Sequence, residues 1–345
     1  MSKGLIGTGT ASVSRRSGSG FIVRSALVLS VLAAMLISII VLTVQSSNHL
    51  MNIEKNPVSN VPSNILPSYS TCSFESADNQ TTLSGWFFKC NDPITTIIVV
   101  HDTGANRLQF GVDMIDMIEA WLDNNYNVFL FDLRNSGDSQ GETSGYGYLE
   151  WQDVIGAINQ VRTISVTTDV VLYGIGTGCT ACILAYDNLP PSGVSDNELS
   201  DYLPEITALE FDRSYIKGMI FDSPAMNSDD YIRPIVRRNE FLGEITSNFV
   251  PYAIRMSSGA DKSVNLVAEI SRLPLPVCII YGGHDSFIGA DKILRLVDER
   301  NRLNSGTTIS QMIPGAGYLE SFRYGKDTYI DAVMRFMRSY FIEDV

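Results

Sequence analysis

The sequence has few basic residues and very few histidines. Of its 345 residues, 25 are lysine or arginine, 38 are aspartate or glutamate and 3 are histidine, so the formal net charge is −13 at pH 7. An acidic chain repels phosphate backbones, and we therefore expect no nucleic-acid partner. The sequence contains no cluster of metal-ligand residues, no Walker loop, no dinucleotide fingerprint and no internal repeat, so we expect no metal and no cofactor.

Charge is also absent from residues 25–44, a mainly apolar run near the N-terminus. At about 1.5 Å per residue, a helix of this length spans roughly 30 Å, the thickness of the hydrocarbon core of a bilayer. The run lacks the polar stripe of a buried core helix. It is longer than the apolar region of a signal peptide, and no A-x-A-like cleavage site follows it. We predict a transmembrane helix over 25–44, with a cleaved signal peptide as the main alternative.

The residues that flank this run set its expected orientation. The segment before it carries four basic residues and no acid: Lys3, Arg15, Arg16 and Arg24. Only Lys55 follows soon after the run. By the positive-inside rule, the N-terminus stays in the cytoplasm and the C-terminal domain is extracellular or lumenal. We predict a cytoplasmic tail over 1–24 and a proline-containing stalk over 45–67.

Two weaker features agree with export. The segment 79–81 reads Asn-Gln-Thr, so Asn79 is a candidate glycosylation site that only a eukaryotic secretory route would use. Cys72 and Cys90 lie near the ends of an expected hairpin and are candidates for a disulfide bond. The other three cysteines fall in apolar segments and are expected to be buried thiols.

From residue 68 to residue 345, short apolar runs alternate with longer amphipathic stretches, which indicates a mostly parallel, doubly wound α/β sheet. The predicted strands are 82–90, 95–101, 127–132, 169–174, 216–222, 276–282 and 307–313. The predicted helices are 107–123, 149–163, 177–187, 289–301 and 325–342. Two longer segments, 188–213 and 225–273, interrupt the alternation and are expected to form a small cap. In such sheets ligands bind beyond the carboxyl ends of the strands.

Five segments near the predicted strand ends carry recognisable motifs. They are HDTGANR at 101–107, DLRNSGDS at 132–139, YLEWQDV at 148–154, GIGTG at 174–178 and YGGHD at 281–285. In this order they resemble the α/β-hydrolase superfamily, particularly its serine aminopeptidase-like and esterase-like members. The resemblance extends from about residue 70 to the C-terminus. It implies the α/β-hydrolase fold and a serine-hydrolase site.

The nucleophile expected from this resemblance is missing. In the family's G-x-S-x-G elbow, a sharp turn between a strand and a helix exposes the serine. Here the elbow reads GIGTG, so Gly176 occupies the nucleophile position. Glycine has no atom that attacks a carbonyl, and it relieves the backbone strain of that turn.

The base expected from the resemblance is missing as well. The family places a histidine after the last strand, where this sequence has Tyr318. Free tyrosine has a pKa of about 10, too high for a general base at neutral pH. None of the three histidines (His49, His101 and His284) occupies the base position. Asp285, which matches the acid, is the only triad member that remains.

The oxyanion loop departs from the pattern too. By resemblance it comprises His101, Asp102 and Thr103, with Thr177 from the elbow. Asp102 replaces a glycine, and a carboxylate there would oppose the oxyanion that the site should stabilise. We expect His101 to be a structural hydrogen-bonding residue rather than a catalyst.

Other assignments remain open at this point. Thr177, Cys179 and Cys182 are weak alternatives for the nucleophile. Asp285 either hydrogen-bonds Tyr318 or is solvated, and Arg134 is expected to pair with Asp132 in a turn. We expect a membrane-anchored, non-catalytic pseudo-hydrolase that binds a ligand or a protein partner. The alternatives are an active esterase- or peptidase-like hydrolase with an unrecognised set of residues, and a structural surface protein.

Overall fold

The computed structural model describes residues 7, 19–58, 61–62 and 65–342. The chain divides into two compact units, 1–42 and 43–345. The α-helices are α1 Ser19–Met51, α2 Met114–Leu122, α3 Trp151–Ile164, α4 Gly178–Asn188, α5 Asp196–Leu199, α6 Pro204–Thr207, α7 Arg233–Asn239, α8 Gly243–Thr246, α9 Val250–Ser257, α10 Leu266–Arg272, α11 Ala290–Asn304, α12 Ser321–Tyr324 and α13 Lys326–Tyr340. The strands are β1 Tyr69–Glu75, β2 Thr82–Phe88, β3 Thr95–Val100, β4 Tyr126–Phe131, β5 Val170–Ile175, β6 Ile216–Asp222, β7 Val277–Gly282 and β8 Thr308–Ile313.

Helix α1 contains a stretch, Phe21–Met51, that is long and apolar enough to cross a membrane. Length and composition alone support this, and a signal sequence near an N-terminus passes the same test. Most of the predicted cytoplasmic tail, residues 1–6 and 8–18, lies outside the described residues.

The last turns of α1 belong to the folded domain. Leu50 and Met51 are buried in an apolar cluster with Ile232, Val236 and Val250. The prediction of a stalk from residue 45 is therefore wrong in its first part, because residues 45–51 continue the helix and its end packs against the predicted cap segment 225–273. Burial removes the apolar surface of Leu50 and Met51 from water and so stabilises the domain, whereas a solvated stalk would leave that surface exposed.

The described residues form one eight-stranded sheet with the order β1-β2-β4-β3-β5-β6-β7-β8. The pairs β1–β2 and β2–β4 are antiparallel, and the pairs among β3 to β8 are parallel. The strands β3, β4, β5 and β7 are buried along their whole length. This agrees with their β-branched and aromatic sequences, since parallel strands are covered on both faces.

Side chains alternate between two apolar cores, one on each face of the sheet. In β3, Ile98 and Val100 face the core that includes α3, α4 and α11, while Ile97 and Val99 face the core that includes α2 and α13. All seven strands predicted from sequence are present, with ends within two residues of the predicted ones. The mostly parallel α/β architecture is thus confirmed.

The expected Cys72–Cys90 disulfide is wrong. All five cysteines lie in the described part of the chain, and all are free. Cys72 is opposite Gly85 in the β1–β2 pair, whereas Cys90 lies beyond Phe88, which is opposite Tyr69. This register separates the two cysteines by about five strand positions, or roughly 16 Å, beyond the reach of a disulfide. Asn79 is exposed in the turn between β1 and β2, with a φ of 55°; its glycosylation stays a prediction.

Candidate active site

The elbow between β5 and α4 lies at the carboxyl edge of the sheet. Gly176 has a φ of +56°, in the left-handed region that favours glycine. Its N–H donates to the carbonyl of Asp222 at the end of β6 over 3.0 Å. The turn is tight because Gly178 packs directly against the carbonyl of Val100, which leaves no room for a side chain. The backbone therefore has the strained strand-to-helix turn of a nucleophile elbow.

The space that a side chain at Gly176 would occupy is filled. A Cβ built there would lie 2.5 Å from Oδ1 of Asp102 and 2.6 Å from the hydroxyl oxygen of Tyr318. Both distances are shorter than any carbon–oxygen contact that an unshifted structure tolerates. Asp102 follows β3 and Tyr318 follows β8, so the sheet brings the two together from different loops.

Asp102 is held by groups of the elbow. Its Oδ1 accepts the N–H of Thr177 at 2.8 Å and the hydroxyl of Thr177 at 2.7 Å. The hydroxyl of Tyr318 lies beside this carboxylate, on the same side of Gly176. The Thr177 N–H follows the nucleophile position, where α/β hydrolases bind the oxyanion. A carboxylate oxygen of the chain itself thus occupies the place of that oxyanion, and burial raises the pKa of Asp102.

Thr177 has no free hydroxyl for attack on a substrate. Its Oγ1 donates to Asp102 and accepts the N–H of Thr103 at 2.8 Å. Cys179 is buried in α4, where its thiol donates to the carbonyl of Gly174 at 3.3 Å. Burial raises the pKa of Cys179 well above its ordinary value, so the reactive thiolate is disfavoured. Neither of these two alternatives for the nucleophile gains support from this geometry.

Tyr318 is packed between aromatic rings. Its ring stacks on Phe287 with centroids 4.5 Å apart, and the ring of Tyr231 lies 6.3 Å away. Burial and the neighbouring Asp102 raise the pKa of Tyr318 well above its ordinary value. The phenol is therefore neutral at physiological pH and acts as a hydrogen-bond donor, not as a base.

Asp285 lies beside this group but does not bond to it. Its Oδ1 accepts the N–H groups of Phe287 and Ile288 at 2.8 and 2.9 Å. Its Oδ2 is buried, and no described residue donates to it. Neither alternative for Asp285 is met, because the tyrosine hydroxyl lies beside Asp102 and Oδ2 of Asp285 is buried rather than solvated. Burial raises the pKa of Asp285, as expected for a carboxyl with one unsatisfied oxygen.

His101 connects two strand ends. Its Nε2 accepts the N–H of Leu133 at 3.0 Å, so the proton lies on Nδ1, which is 2.8 Å from the carbonyl of Asp102. The ring is completely buried, which lowers the pKa of His101. A neutral imidazole with both nitrogens engaged has the structural role that the sequence predicts.

Asp132 and Arg134 form ion pairs with other residues, not with each other as the sequence predicts. Asp132 is bonded to Arg107, whose backbone N–H and guanidinium both donate to the buried carboxylate. Arg134 instead reaches Asp153 of α3 at 2.7 Å and Asp78 at 2.9 Å. The predicted Arg134–Asp132 pair is therefore wrong. Both ion pairs fix the loops around the site to neighbouring elements.

The sequence did not predict the buried polar network that lies beneath the elbow. Oδ2 of Asp222 accepts the hydroxyl of Tyr329 at 2.7 Å, Oδ1 accepts that of Ser223 at 2.9 Å, and Tyr173 bonds to Tyr329. Burial raises the pKa of Asp222 to about 6. The sequence feature that could have indicated this network is the position of Asp222, an acid at the end of a buried strand.

One small cavity lies over the site, and a larger one is lined by other residues. The smaller, of about 80 Å³, lies over the elbow and is lined by Ile53, Asp102, Tyr146, Phe287 and Tyr318 among others. The larger, of about 940 Å³, lies between the two cap segments and α3. Small-molecule sites usually enclose about 300–1,000 Å³, so only the second has the volume of one.

No protein-family model matches this chain. The uncharacterized protein YfhR of Escherichia coli O157:H7 is 26% identical over 276 residues, which cover 76% of this chain and 78% of that protein. The Pyrococcus furiosus esterase Pf2001 superposes with a TM-score of 0.62 at 18% identity, over 84% of this chain and all of that one. Est1E from Butyrivibrio proteoclasticus, solved with bound ferulic acid, superposes with a TM-score of 0.55 at 14% identity; the match covers 78% of this chain and 99% of Est1E. The chain therefore has the α/β-hydrolase fold.

Proposed function

We propose that this protein is a membrane-anchored, non-catalytic member of the α/β-hydrolase fold that binds a ligand or a protein partner. The observation that carries the proposal is the filled space above Gly176. Asp102 and Tyr318 occupy it, and Asp102 also takes the Thr177 N–H. A hydrolase must offer that N–H to its transition state, and loss of such a donor costs about 10²–10³ in rate.

The degenerate triad is a second, independent reason for inactivity. Gly176 supplies no nucleophilic atom, and the raised pKa of Tyr318 opposes its use as a base. Removing a single member of a serine triad leaves only about 10³–10⁴ of acceleration over water. Here two members are replaced and the oxyanion position is blocked, so the remaining acid, Asp285, has no histidine to orient.

The alternative is an active esterase- or peptidase-like enzyme. It rests on the fold that the chain shares with esterases, and fold alone does not specify chemistry. No described side chain near the elbow supports this alternative, since Thr177 and Cys179 are both engaged and buried.

The ligand of the proposed function is expected to bind in the larger cavity rather than in the small cavity over the elbow. The walls of the larger cavity include Tyr148, Trp151 and Tyr202, and its rim carries four carboxylates (Asp187, Glu198, Asp201 and Asp261) and one lysine, Lys262. The aromatic rings offer apolar contact, and the charge favours a cationic ligand. A panel of amines and basic peptides should therefore raise the unfolding temperature of the protein more than anionic compounds do. Asp201→Lys should reduce that shift, and Asp291→Lys on the exposed face of α11 should not.

The anchor and its orientation complete the proposal. Helix α1 is long and apolar enough to span a bilayer, and the basic residues before its uncharged run 25–44 favour a cytoplasmic N-terminus. The folded domain would then be extracellular or lumenal. Protection of the domain from protease in sealed vesicles, together with resistance to carbonate extraction, tests both points.

Labelling by a fluorophosphonate probe tests the loss of catalysis. We expect no labelling of the full chain or of Gly176→Ser, since the new serine lacks both a base and space. The triple variant Asp102→Gly, Gly176→Ser, Tyr318→His should be labelled, because a histidine at 318 can donate to the free Oδ2 of Asp285. Strong labelling of the unmodified chain, or of Gly176→Ser alone, would contradict the assigned positions.

A further inference from the structure

Residues 241–256 of the second cap segment expose an unusual number of large apolar side chains. Of the fifteen such side chains between residues 65 and 342, six lie in this short stretch. They are Phe241, Leu242, Ile245, Phe249, Tyr252 and Met256. Single exposed apolar residues are normal, whereas a concentration of them indicates an interaction surface. We call these six side chains the apolar cap surface.

Helix α9 is apolar on two sides. Val250 and Ile254 are buried in the cluster that also holds the end of α1. Phe249, Tyr252 and Met256 are spaced three and four residues apart, so they share another side of the helix, which is exposed. A surface helix of a soluble domain needs one apolar side only. The second side therefore requires a second apolar environment.

Glu240 connects the apolar cap surface to the end of α1. Its carboxylate accepts the hydroxyl of Ser46 at 2.8 Å and lies 2.8 Å from Nδ1 of His49. Ser46 is two residues past the predicted transmembrane run 25–44, or about 3 Å along a helix. Glu240 directly precedes Phe241 in the sequence. The apolar cap surface thus begins next to the place where the apolar run of α1 ends.

The charge of this segment also fits a membrane surface. Residues 231–260 contain four arginines and two glutamates, but Arg233 pairs with Asp229 and Asp230, and Arg255 lies 3.6 Å from Asp229. The exposed positive charge therefore comes from the other two arginines. Arg237 and Arg238 are exposed, and Arg255 lies over the ring of Tyr252 at 5.6 Å. Arginine and tyrosine beside large apolar side chains are typical of helices that lie at the boundary between headgroups and acyl chains.

We propose that the apolar cap surface inserts into the headgroup region of the bilayer that α1 spans. The cap then touches lipid at a second site, and this site fixes the domain against the membrane beside its anchor. The inference rests on the membrane anchor but not on the absence of catalysis, so it holds for an active or an inactive domain.

Fluorescence quenching by lipid tests the inference in the full chain. Cys72→Ser and Cys90→Ser remove the two cysteines that are not fully buried, and Met256→Cys then accepts an NBD label. The protein is reconstituted in vesicles of phosphatidylcholine and phosphatidylserine that contain nitroxide-labelled acyl chains. The matched control is Val166→Cys. Val166 is also apolar and exposed, but it lies just before β5, at the amino end of that strand.

We expect several-fold stronger quenching at 256 than at 166. Equal quenching at both positions in a chain that resists carbonate extraction would overturn the inference while leaving the anchor intact. Extraction of the chain by carbonate would remove the anchor and the inference together. Crosslinking between copies through residue 256 without quenching would show that a second copy covers the surface, and would likewise overturn it.

Discussion

At Gly176 the backbone turns from β5 into α4 with a φ of +56°, and the neighbouring carboxylate and phenol fill the space beside it. Both features bear on what a serine would do there. A residue with a side chain is strained in this left-handed conformation. Hydrolases tolerate the strain at this position because the serine there is the catalytic nucleophile. The clash with Asp102 and Tyr318 is a further cost, specific to this chain.

Gly176→Ser is expected to destabilise the protein by about 2–4 kcal/mol, from backbone strain together with overpacking. Gly193→Ser is the matched control, since Gly193 also has a positive φ, of 75°, but no atom lies within 4 Å of the position that its Cβ would take. Thermal unfolding in detergent should show a clearly larger loss for Gly176→Ser. Equal losses would mean that the space above Gly176 is open.

Asp222 gives the stability of the domain a specific pH dependence. Its pKa is raised from 3.8 to about 6 by burial, so between these values the folded state binds more protons than the unfolded state. Stability should therefore fall as the pH rises from about 4 to 6, by up to about 3 kcal/mol from this group, and level off above.

Asp222→Asn should flatten this part of the profile, because an amide does not titrate. Unfolding midpoints measured at intervals from pH 4 to pH 7 would show the change, with Asp291→Asn, an exposed aspartate, as the control. Asp102, Glu150 and Asp285 also have raised pKa values and keep some slope of the same sign in the variant. An unchanged profile in Asp222→Asn would contradict the assignment.

At the scale of elements, the sequence predicts best the strands that are buried on both faces of the sheet. The strands from β3 to β7 are nearly continuous apolar runs, and all of them were predicted, as were the more polar β2 and β8. β1 was missed because Tyr69–Glu75 is an edge strand of mainly polar, partly exposed residues, so its sequence carries no such run. The five predicted helices are present, and the ends of α3, α4 and α13 lie within two residues of the prediction, but α2 begins seven residues after the predicted start at 107 and α11 ends three residues after the predicted end at 301.

The candidate site was predictable in position but not in its contacts. Motif spacing placed Gly176, Asp285 and Tyr318 at neighbouring strand ends, and the structure brings them to the same edge of the sheet. Which carboxylate the Tyr318 hydroxyl lies beside depends on side-chain rotamers and on packing against Phe287, and no sequence pattern records these. The same holds for Arg134, whose partners come from α3 and from the β1–β2 turn.

Arg134 ties three elements together and should be costly to remove. It bonds Asp153 and Asp78, which are largely buried, and its loss leaves the Asp153 carboxylate without its partner. Breaking a buried pair on one side costs about 3–5 kcal/mol. Arg134→Gln should lower the unfolding temperature accordingly. The control Arg302→Gln breaks an exposed pair with Glu299 and should change stability by about 1 kcal/mol or less.

At the scale of the whole molecule, α1 and the folded domain share residues 43–51. Leu50 and Met51 are each about 5% exposed and fill the cap cluster. A fragment that starts at residue 60 should therefore be less stable than one that starts at residue 43, by about 3–6 kcal/mol for two buried side chains. Urea unfolding of the two fragments measures the difference. Equal midpoints would show that the end of α1 contributes nothing to the domain.

The central claim is that the chain's own carboxylate and phenol close the hydrolase site. Turnover of a p-nitrophenyl ester by the purified full chain tests it most directly, with Thr177→Ala and Asp285→Ala as companions. We predict a rate equal to that of buffer for all three proteins. Turnover by the unmodified chain above buffer that Asp285→Ala abolishes would show a working catalytic site and contradict the account.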